Sequence, residues 1–270
     1  MRSKKKERIR GNKEENANDK RAAEAMVGVL FRDLKGEFEP AQLTNYVLVR
    51  VGDYLREMTS TPRNALAYYS EVVRREDQSY RFNANFGLAD ILGESQSPTE
   101  KQKAIDSLEN IFKNAPQKKQ KERALYRIVS ILAAKGDWDL LTTRAKEYLT
   151  TEGFRRYAAE TSFFLSQSYD KRKMREDAIV AYNNTWASYT GLIRISAPSM
   201  KRVMELVWER NNDDDHQQAY EIGYKFRKST EHLLEQMKDE ERELWESVRD
   251  LVKRYGDHSS VTKIVEEKPK

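Results

Sequence analysis

Apolar side chains recur at four-residue spacing along most of the chain. In the stretch LSQSYDKRKMREDAIVAYNNTW, residues 165–186, Leu165 and Tyr169 lie four apart, and Ala178 and Tyr182 repeat that spacing. Four-residue spacing places side chains on one face of a helix. Six of the seven residues in the segment KRKMRED between the two stripes are charged. The stretch therefore predicts a helix, a tight turn and a second helix.

The helical pair recurs along the chain. When each second-helix stripe is aligned on its first small or apolar position, successive positions are 39, 37, 37 and 41 residues apart. The aligned positions are Ala65, Ala104, Leu141, Ala178 and Ala219. One helical pair in each period of about 38 residues is typical of a helical repeat array. The expected pairs cover residues 41–77, 78–116, 117–151, 152–190 and 197–228.

Segments outside the array are predicted to cover its terminal apolar faces, which a repeat array cannot leave exposed. Residues 19–36 carry a short apolar stripe that ends at a glycine, which predicts an N-terminal capping helix. Residues 229–256 have the pattern of one long amphipathic C-terminal helix, which serves either as a cap or as a homodimer or partner-binding helix. Residues 257–270 lack a stripe and are expected to form a flexible tail.

Composition favours a helical fold with much surface per residue. Hydrophobic residues make up 38% of the chain and charged residues 34%, against about 25% charged in an average domain. Four Trp, fourteen Tyr and nine Phe are too many aromatic residues for a disordered chain. Six prolines and eleven glycines leave few turns, as expected of long helices. The fold class predicted is all-α.

The net charge of the chain is concentrated at its N-terminus. Residues 1–21 contain nine Lys or Arg and four acidic residues, and the resulting +5 equals the net charge of the whole chain. The rest of the chain is therefore neutral overall. Residues 1–18 are expected to be a basic disordered tail, either merely solvated or able to contact an anionic membrane surface or nucleic acid. The neutral array is not expected to bind nucleic acid.

Cysteine is absent and no run of 18 apolar residues occurs. Disulfides, thiol nucleophiles and a membrane-spanning helix are therefore not expected. The N-terminus has the positive start of a secretory signal without the apolar region that follows it in such signals. By default we expect a soluble cytoplasmic protein. The alternative is a periplasmic or cell-envelope location, if an N-terminal anchor or signal has been removed.

Motifs for catalysis or metal binding are not found. Three histidines, His216, His232 and His258, offer little material for acid/base or metal chemistry. No phosphate-binding loop, dinucleotide-binding turn or nucleophile elbow occurs. The run from Asp213 to His216 has cation-binding groups, but it is better explained as a turn with carboxylates near the positive end of the next helix. We expect no enzyme activity, no cofactor and no metal site.

The helical pairs resemble the tetratricopeptide repeat (TPR) family. In that family a first helix with an aromatic, Leu-Gly and Tyr is followed by a Gly-Asp turn and a second helix with Ala and an aromatic four residues later. LSQSYDKRKMREDAIVAY matches both helices, including Ala178 and Tyr182, and KGDWDL at 135–140 matches the turn. Pro116 falls where a repeat closes, whereas Leu141 replaces the usual Ala.

The resemblance covers about residues 41–228, in degenerate repeats longer than the usual 34 residues. It implies a right-handed α-α superhelix, a TPR-like solenoid with N- and C-terminal capping helices. Long degenerate units of this kind are similar to those of bacterial envelope and assembly proteins in the family.

The family also implies a function: a non-enzymatic scaffold or adaptor that binds a peptide or helix of a partner protein in the groove formed by the first helices. The small residues Gly52, Ala89 and Ser166 are expected where two helices approach closely. Matching them and Val129 to the family implies which side chains face this groove. They are Asp53, Arg56, Phe86, Asp90, Tyr126, Ser130, Phe163 and Gln167. The alternative is an electrostatic binder, in which the basic tail contacts membrane or nucleic acid and the solenoid is a spacer.

Overall fold

A computed structural model describes residues 29, 33, 37–75 and 79–264 of the chain. Within these residues the protein forms eleven α-helices and no strand, and it has a helical-repeat fold. The all-α fold class predicted from the sequence is thus confirmed. The predicted basic tail at 1–18 and most of the predicted capping helix at 19–36 lie outside the described residues. None of the helices described is long and apolar enough to cross a membrane.

The chain divides into two units, Met1–Ile111 and Phe112–Lys270. The first unit contains three helices and most of a fourth: α1 (Asn45–Met58), α2 (Ala65–Arg74), α3 (Arg81–Gly93) and α4 (Pro98–Asn114). Short 3-10 helices at Pro40–Gln42 and Pro62–Asn64 precede α1 and α2. Helix α2 packs against α1 and α3, and α1 also contacts α3.

Arg75, which follows α2, joins the start of the described chain to the end of that helix. Its guanidinium donates to the carbonyl oxygens of Leu43 at 2.7 Å and Ala41 at 2.7 Å, and to the carboxylate of Glu71 at 2.8 Å. Hydrogen bonds from Arg74 and Arg75 lower the pKa of Glu71 to about 2. The arginine therefore satisfies backbone acceptors that the 3-10 helix at Pro40–Gln42 leaves open.

The second unit contains seven helices. They are α5 (Lys118–Lys135), α6 (Trp138–Thr150), α7 (Ala158–Lys171), α8 (Arg175–Ser188), α9 (Ile193–Trp208), α10 (Asp213–Thr230) and α11 (Asp239–Gly256). Each helix packs against the next in sequence, α5 also contacts α7, and α7 contacts α9. Helix α11 contacts both α9 and α10. It therefore takes the place that the first helix of a further pair would occupy.

Burial agrees with the four-residue stripes. All five positions used to align the second helices are fully buried: Ala65, Ala104, Leu141, Ala178 and Ala219. Two turns also have the local chemistry expected of them. Gly136 ends α5 with a left-handed φ of 76°, and the Asp137 side chain accepts from the Leu140 amide at the start of α6. The acidic run that begins at Asp213 forms the first turn of α10, and its cap is the Asn212 side chain.

The prediction of a single long helix over residues 229–256 is wrong. Helix α10 ends at Thr230, a 3-10 helix spans Glu231–Gln236, and α11 starts only at Asp239. The break occurs because Met237 is extended, with φ −70° and ψ 137°, and its side chain is buried. Lys238 is the N-cap of α11, and its amide donates to the Glu241 carboxylate at 3.1 Å.

The apolar stripe of α11 is buried within the second unit. Trp245, Val248, Leu251, Val252 and Tyr255 all belong to the core shared with α8, α9 and α10. The apolar stripe that suggested a homodimer through this helix is therefore covered by the protein's own helices α8, α9 and α10.

Residues 257–264 correct the expectation of a flexible tail that begins at 257. The side-chain amide of Gln217 forms two hydrogen bonds with the backbone of Thr262. The Thr262 N–H donates to Gln217 Oε1 at 2.8 Å, and Gln217 Nε2 donates to the Thr262 carbonyl at 3.3 Å. Val261 packs against the core, and His216 Nδ1 lies 3.0 Å from Ser260 Oγ. Side chains of α10 thus fix a segment that has no helical pattern of its own.

Candidate partner-binding site

Three of the four candidate residues in the first unit form one charged cluster. Arg56 on α1 lies 3.2 Å from the Asp90 carboxylate on α3 and 3.7 Å from Asp53. The Tyr69 hydroxyl donates to Asp53 at 2.8 Å. Burial acts to lower the pKa of Arg56, but its acidic neighbours, Glu57 foremost, raise it overall. The ion pair between Arg56 and Asp90 links α1 to α3.

Phe86, the fourth candidate residue of that unit, is only 5% exposed. Its ring therefore belongs to the interior and is not accessible to a partner, which corrects its assignment to the groove.

In the second unit an aromatic pair marks the face formed by α5 and the start of α7. The rings of Tyr126 and Tyr157 are stacked, with centroids 4.2 Å apart and planes inclined by 6°. The Arg156 guanidinium lies 5.4 Å from the Tyr157 ring centroid. Both tyrosines are half-buried and Arg156 is exposed. The face therefore presents two stacked rings and one cation.

A buried carboxylate fixes the backbone beside this pair. Glu122 Oε1 on α5 accepts from the Arg155 amide at 2.7 Å, the Arg156 amide at 2.7 Å and the Tyr148 hydroxyl at 2.8 Å. The Tyr148 oxygen in turn accepts from the Tyr157 amide at 2.8 Å. Burial acts to raise the pKa of Glu122, but these hydrogen bonds lower it overall. The carboxylate is therefore ionised at neutral pH, and it holds the loop before α7 against α5.

The loop from 151 to 157 has the shape that this network requires. Gly153 is left-handed, with φ 78°, which a residue with a side chain rarely adopts. Phe154 is buried and its ring lies 5.3 Å from that of Tyr148. The loop thus inserts one ring into the apolar cluster around Leu125 and places the Tyr157 backbone against Tyr148.

The remaining candidate residues of the second unit lie on α5 and α7. Ser130 and Gln167 are half-buried. Phe163 is also half-buried, and its ring meets that of Tyr182 edge-on at 6.0 Å. Phe163 packs with the core of α8, α9 and α10, whereas Tyr126 packs with the cluster around Leu125. The two rings thus belong to different apolar clusters.

An ion pair links α7 to the next first helix, α9. Arg202 donates two hydrogen bonds to the Asp170 carboxylate, at 2.7 and 3.0 Å, and one to Glu205 at 3.0 Å. These acidic neighbours raise the pKa of Arg202. Arg202 and Asp170 are 32 residues apart, and Arg56 and Asp90 are 34 apart. An arginine and an acid separated by nearly one repeat are therefore a sequence signal for such pairs, in addition to the four-residue stripes.

The second unit also contains a cavity away from the stacked pair of Tyr126 and Tyr157. A cavity of about 330 Å³ opens between α6, α7 and α8. Leu165 and Tyr169, expected in the packing stripe of α7, are only half-buried and line this cavity. Val180 on α8 also lines it and is 58% exposed. Its walls are mostly uncharged, with Asp177 at the rim.

Among the described residues, no group of three or more His, Asp or Glu side chains lies close enough together to hold a metal ion. The acidic run at the start of α10 is engaged locally: Asp215 pairs with Arg210 at 3.1 Å, and the ring of His216 stacks on that of Trp208. What the fold and these faces define is a helical-repeat protein.

Comparison with known proteins agrees with this class. No protein-family model and no curated protein sequence matches the chain. The chain is similar to MamA (41-end) from Desulfovibrio magneticus RS-1, a TPR-containing protein, at 18% identity and a TM-score of 0.51. That match covers 68% of this chain and 93% of MamA, and at this identity it concerns the fold alone. A de novo designed helical repeat protein, DHR64, matches at 16% identity and a TM-score of 0.20, covering 79% of this chain and 93% of that chain.

Proposed function

We propose that this protein is a non-enzymatic interaction scaffold that binds a peptide or helix of a partner protein on the first-helix face of its second unit. The observation that carries the proposal is the stacked pair Tyr126 and Tyr157 beside Arg156, on α5 and the loop before α7 of a helical-repeat fold. Ser130, Phe163 and Gln167 extend the face along α5 and α7. In the first unit, Asp53, Arg56 and Asp90 are the corresponding candidates.

Preorganisation supports this assignment. Aromatic and arginine side chains dominate the energetics of protein interfaces, because they bury large areas around one polar group. Binding costs less when such groups are already fixed. Glu122 holds the backbone of Arg155 and Arg156, and Tyr148 holds that of Tyr157. The rings therefore need little ordering when a partner arrives.

The proposal is tested by capture and then by substitution. The chain without residues 1–20 is used as bait, retained proteins are identified by mass spectrometry, and the retained partner is titrated against variants. Arg156→Glu and Gln167→Ala change exposed or half-buried side chains and leave the core intact. We expect each to weaken binding at least threefold, because charge and contact are lost at the face.

Val180→Ala is the matched control, since it removes an exposed side chain from the second-helix side. Unchanged affinity in Arg156→Glu and Gln167→Ala, with a loss in Val180→Ala, would move the site to the cavity between α6, α7 and α8.

A second candidate is an electrostatic binder that acts through the basic N-terminal segment. The excess of positive charge within residues 1–21 favours it. Binding of anionic vesicles or nucleic acid would then disappear on deletion of residues 1–20 and fall steeply with salt, since phosphate contacts release counterions. Binding that survives both the deletion and moderate salt would contradict this second candidate.

A further inference from the structure

A pocket of about 370 Å³ lies between α10, α11 and residues 257–264 of the second unit. Its size falls within the range of pockets that bind small ligands or a few side chains. Its walls are Tyr220, Tyr224 and Arg227 of α10, Arg249, Val252, Lys253 and Gly256 of α11, and Asp257, Lys263 and Ile264.

The wall formed by the C-terminal segment is held in place. Beyond the two bonds between Gln217 and Thr262, the Ile264 amide donates to the Tyr220 hydroxyl at 3.3 Å. The Lys263 ammonium donates to Asp257 at 2.6 Å. The pocket is therefore formed before any ligand arrives.

The lining has an excess of positive charge. Four of the ten lining side chains are cationic, whereas Asp257 is the acid among them and is already paired with Lys263. Arg249 is offset by Asp250 at 2.9 Å and by Glu246 at 3.4 Å. Lys253 is exposed and forms no salt bridge within the described residues, although its charge contributes to lowering the pKa of Asp257. Charge complementarity therefore favours an anionic ligand.

The same pocket has an apolar side. Val252 contributes to the wall from α11, and Ile264 is 38% exposed. The rings of Tyr220 and Tyr224 lie 6.2 Å apart, with the Arg227 guanidinium 5.0 Å from the Tyr224 ring centroid. A ligand that fits both sides carries carboxylates next to an aliphatic group.

We propose that this pocket binds a segment of a partner protein in which acidic side chains flank an aliphatic residue. A carboxylate would pair with Lys253, and the aliphatic side chain would pack between Val252, Ile264 and the tyrosine rings. This second binding site uses α10 and α11 and is independent of the first-helix face.

The probe is a fluorescent peptide Glu-Glu-Leu-Glu-Glu blocked at both ends, so that only side-chain carboxylates carry charge. Fluorescence polarisation is measured with the full chain, and again without residues 1–20 to remove attraction to the basic segment. We expect the probe to bind both, and the peptide Gln-Gln-Leu-Gln-Gln to bind neither.

Lys253→Gln should weaken binding about threefold, as expected for one partly exposed ion pair. Lys225→Gln is the matched control, because Lys225 is an exposed lysine on α10 outside the pocket. Equal losses in both variants, or none in Lys253→Gln, would overturn the proposal. Arg156→Glu on the first-helix face should leave probe binding unchanged, so failure here and failure of the proposed function are distinguishable.

The chain itself offers a competing occupant, since Glu266 and Glu267 follow Ile264 in the sequence. The variant Glu266→Gln, Glu267→Gln separates the two. Probe binding by the unaltered chain supports a partner segment. Binding by this variant alone would assign the pocket to the chain's own carboxylates and overturn the proposal.

Discussion

Replacing Glu122 with alanine tests the network that fixes the loop before α7. Three donors converge on one carboxylate oxygen: the amides of Arg155 and Arg156, at 2.7 Å each, and the Tyr148 hydroxyl at 2.8 Å. A buried donor left without an acceptor costs about 1 to 3 kcal/mol. The hydrogen bonds from the Arg155 and Arg156 amides are partly buried, whereas the bond from Tyr148 is fully buried, so water cannot replace the carboxylate there. We therefore expect Glu122→Ala to lower the free energy of unfolding by about 3 kcal/mol.

Two measurements follow the effect. Urea unfolding monitored by circular dichroism gives the stability, and amide hydrogen exchange at Arg155, Arg156 and Tyr157 reports the loop directly. Glu122→Gln retains an acceptor oxygen but loses the charge, and should cost about 1 kcal/mol. Glu152→Ala, an exposed acid in the same loop, is the control and should change little. If Glu122→Ala unfolds at the same urea concentration as the unaltered chain and exchange at these amides is not faster, the hydrogen-bond argument is refuted.

Three further predictions concern the same fold. Folding lowers the pKa of Glu122, so its contribution to the free energy of unfolding is complete above the unfolded pKa of about 4.3 and should fade as the pH drops through the folded pKa. Urea melts at several pH values, with Glu122→Gln beside the unaltered chain, would measure this loss. Ala178→Asp should cost about 3 kcal/mol or more in thermal melts, since it places an unpaired charge at a fully buried position. Arg75→Gln should speed proteolysis near Leu43 and lower the free energy of unfolding by about 1 to 2 kcal/mol, because the backbone carbonyls of Leu43 and Ala41 lose their donor. Equal rates of proteolysis in the variant and the unaltered chain would argue against this role.

The helices could be predicted from the sequence because their signals are local. Apolar residues four apart determine which face a helix buries, and this is why all five aligned positions are fully buried. The turn at Gly136 and Asp137 was equally predictable, since each residue acts on its own backbone. The break at Met237 was not, because an apolar residue in an extended conformation leaves the stripe uninterrupted in sequence.

The candidate site was predictable only in part. The resemblance to the TPR family implied Tyr126 as a groove residue, but its stacking partner Tyr157 lies in a loop without periodicity. Glu122 belongs to an ordinary charged helix face in the sequence, and its burial depends on donors 26 to 34 residues away. The segment 257–264 likewise has no helical pattern, and its order comes from side chains of α10. Long-range hydrogen bonds of this kind have no signature in a single sequence.

Gly52 was expected where two helices approach closely. The structure indicates whether a substitution there raises or lowers the free energy of unfolding. A Cβ on Gly52 would lie 2.6 Å from Cε1 of Tyr69, closer than carbon atoms can pack. The Tyr69 ring is fully buried and its hydroxyl is bonded to Asp53 at 2.8 Å, so the ring cannot move away freely. Overpacking costs about 1 to 3 kcal/mol, which exceeds the roughly 1 kcal/mol that alanine gains over glycine inside a helix.

Gly52→Ala should therefore destabilise the protein by about 1 kcal/mol in urea unfolding, the difference between these two terms. Gly191→Ala is the opposite case, because nothing lies within 4 Å of a Cβ added at Gly191. Alanine lowers the conformational entropy of the unfolded chain, so this substitution should stabilise the protein by about 0.5 kcal/mol. In a Tyr69→Leu background the ring is gone, so Gly52→Ala should lose its cost. If Gly52→Ala stabilises the unaltered chain as Gly191→Ala does, then the ring of Tyr69 does not lie against α1, and the close approach of the first two helices must be abandoned.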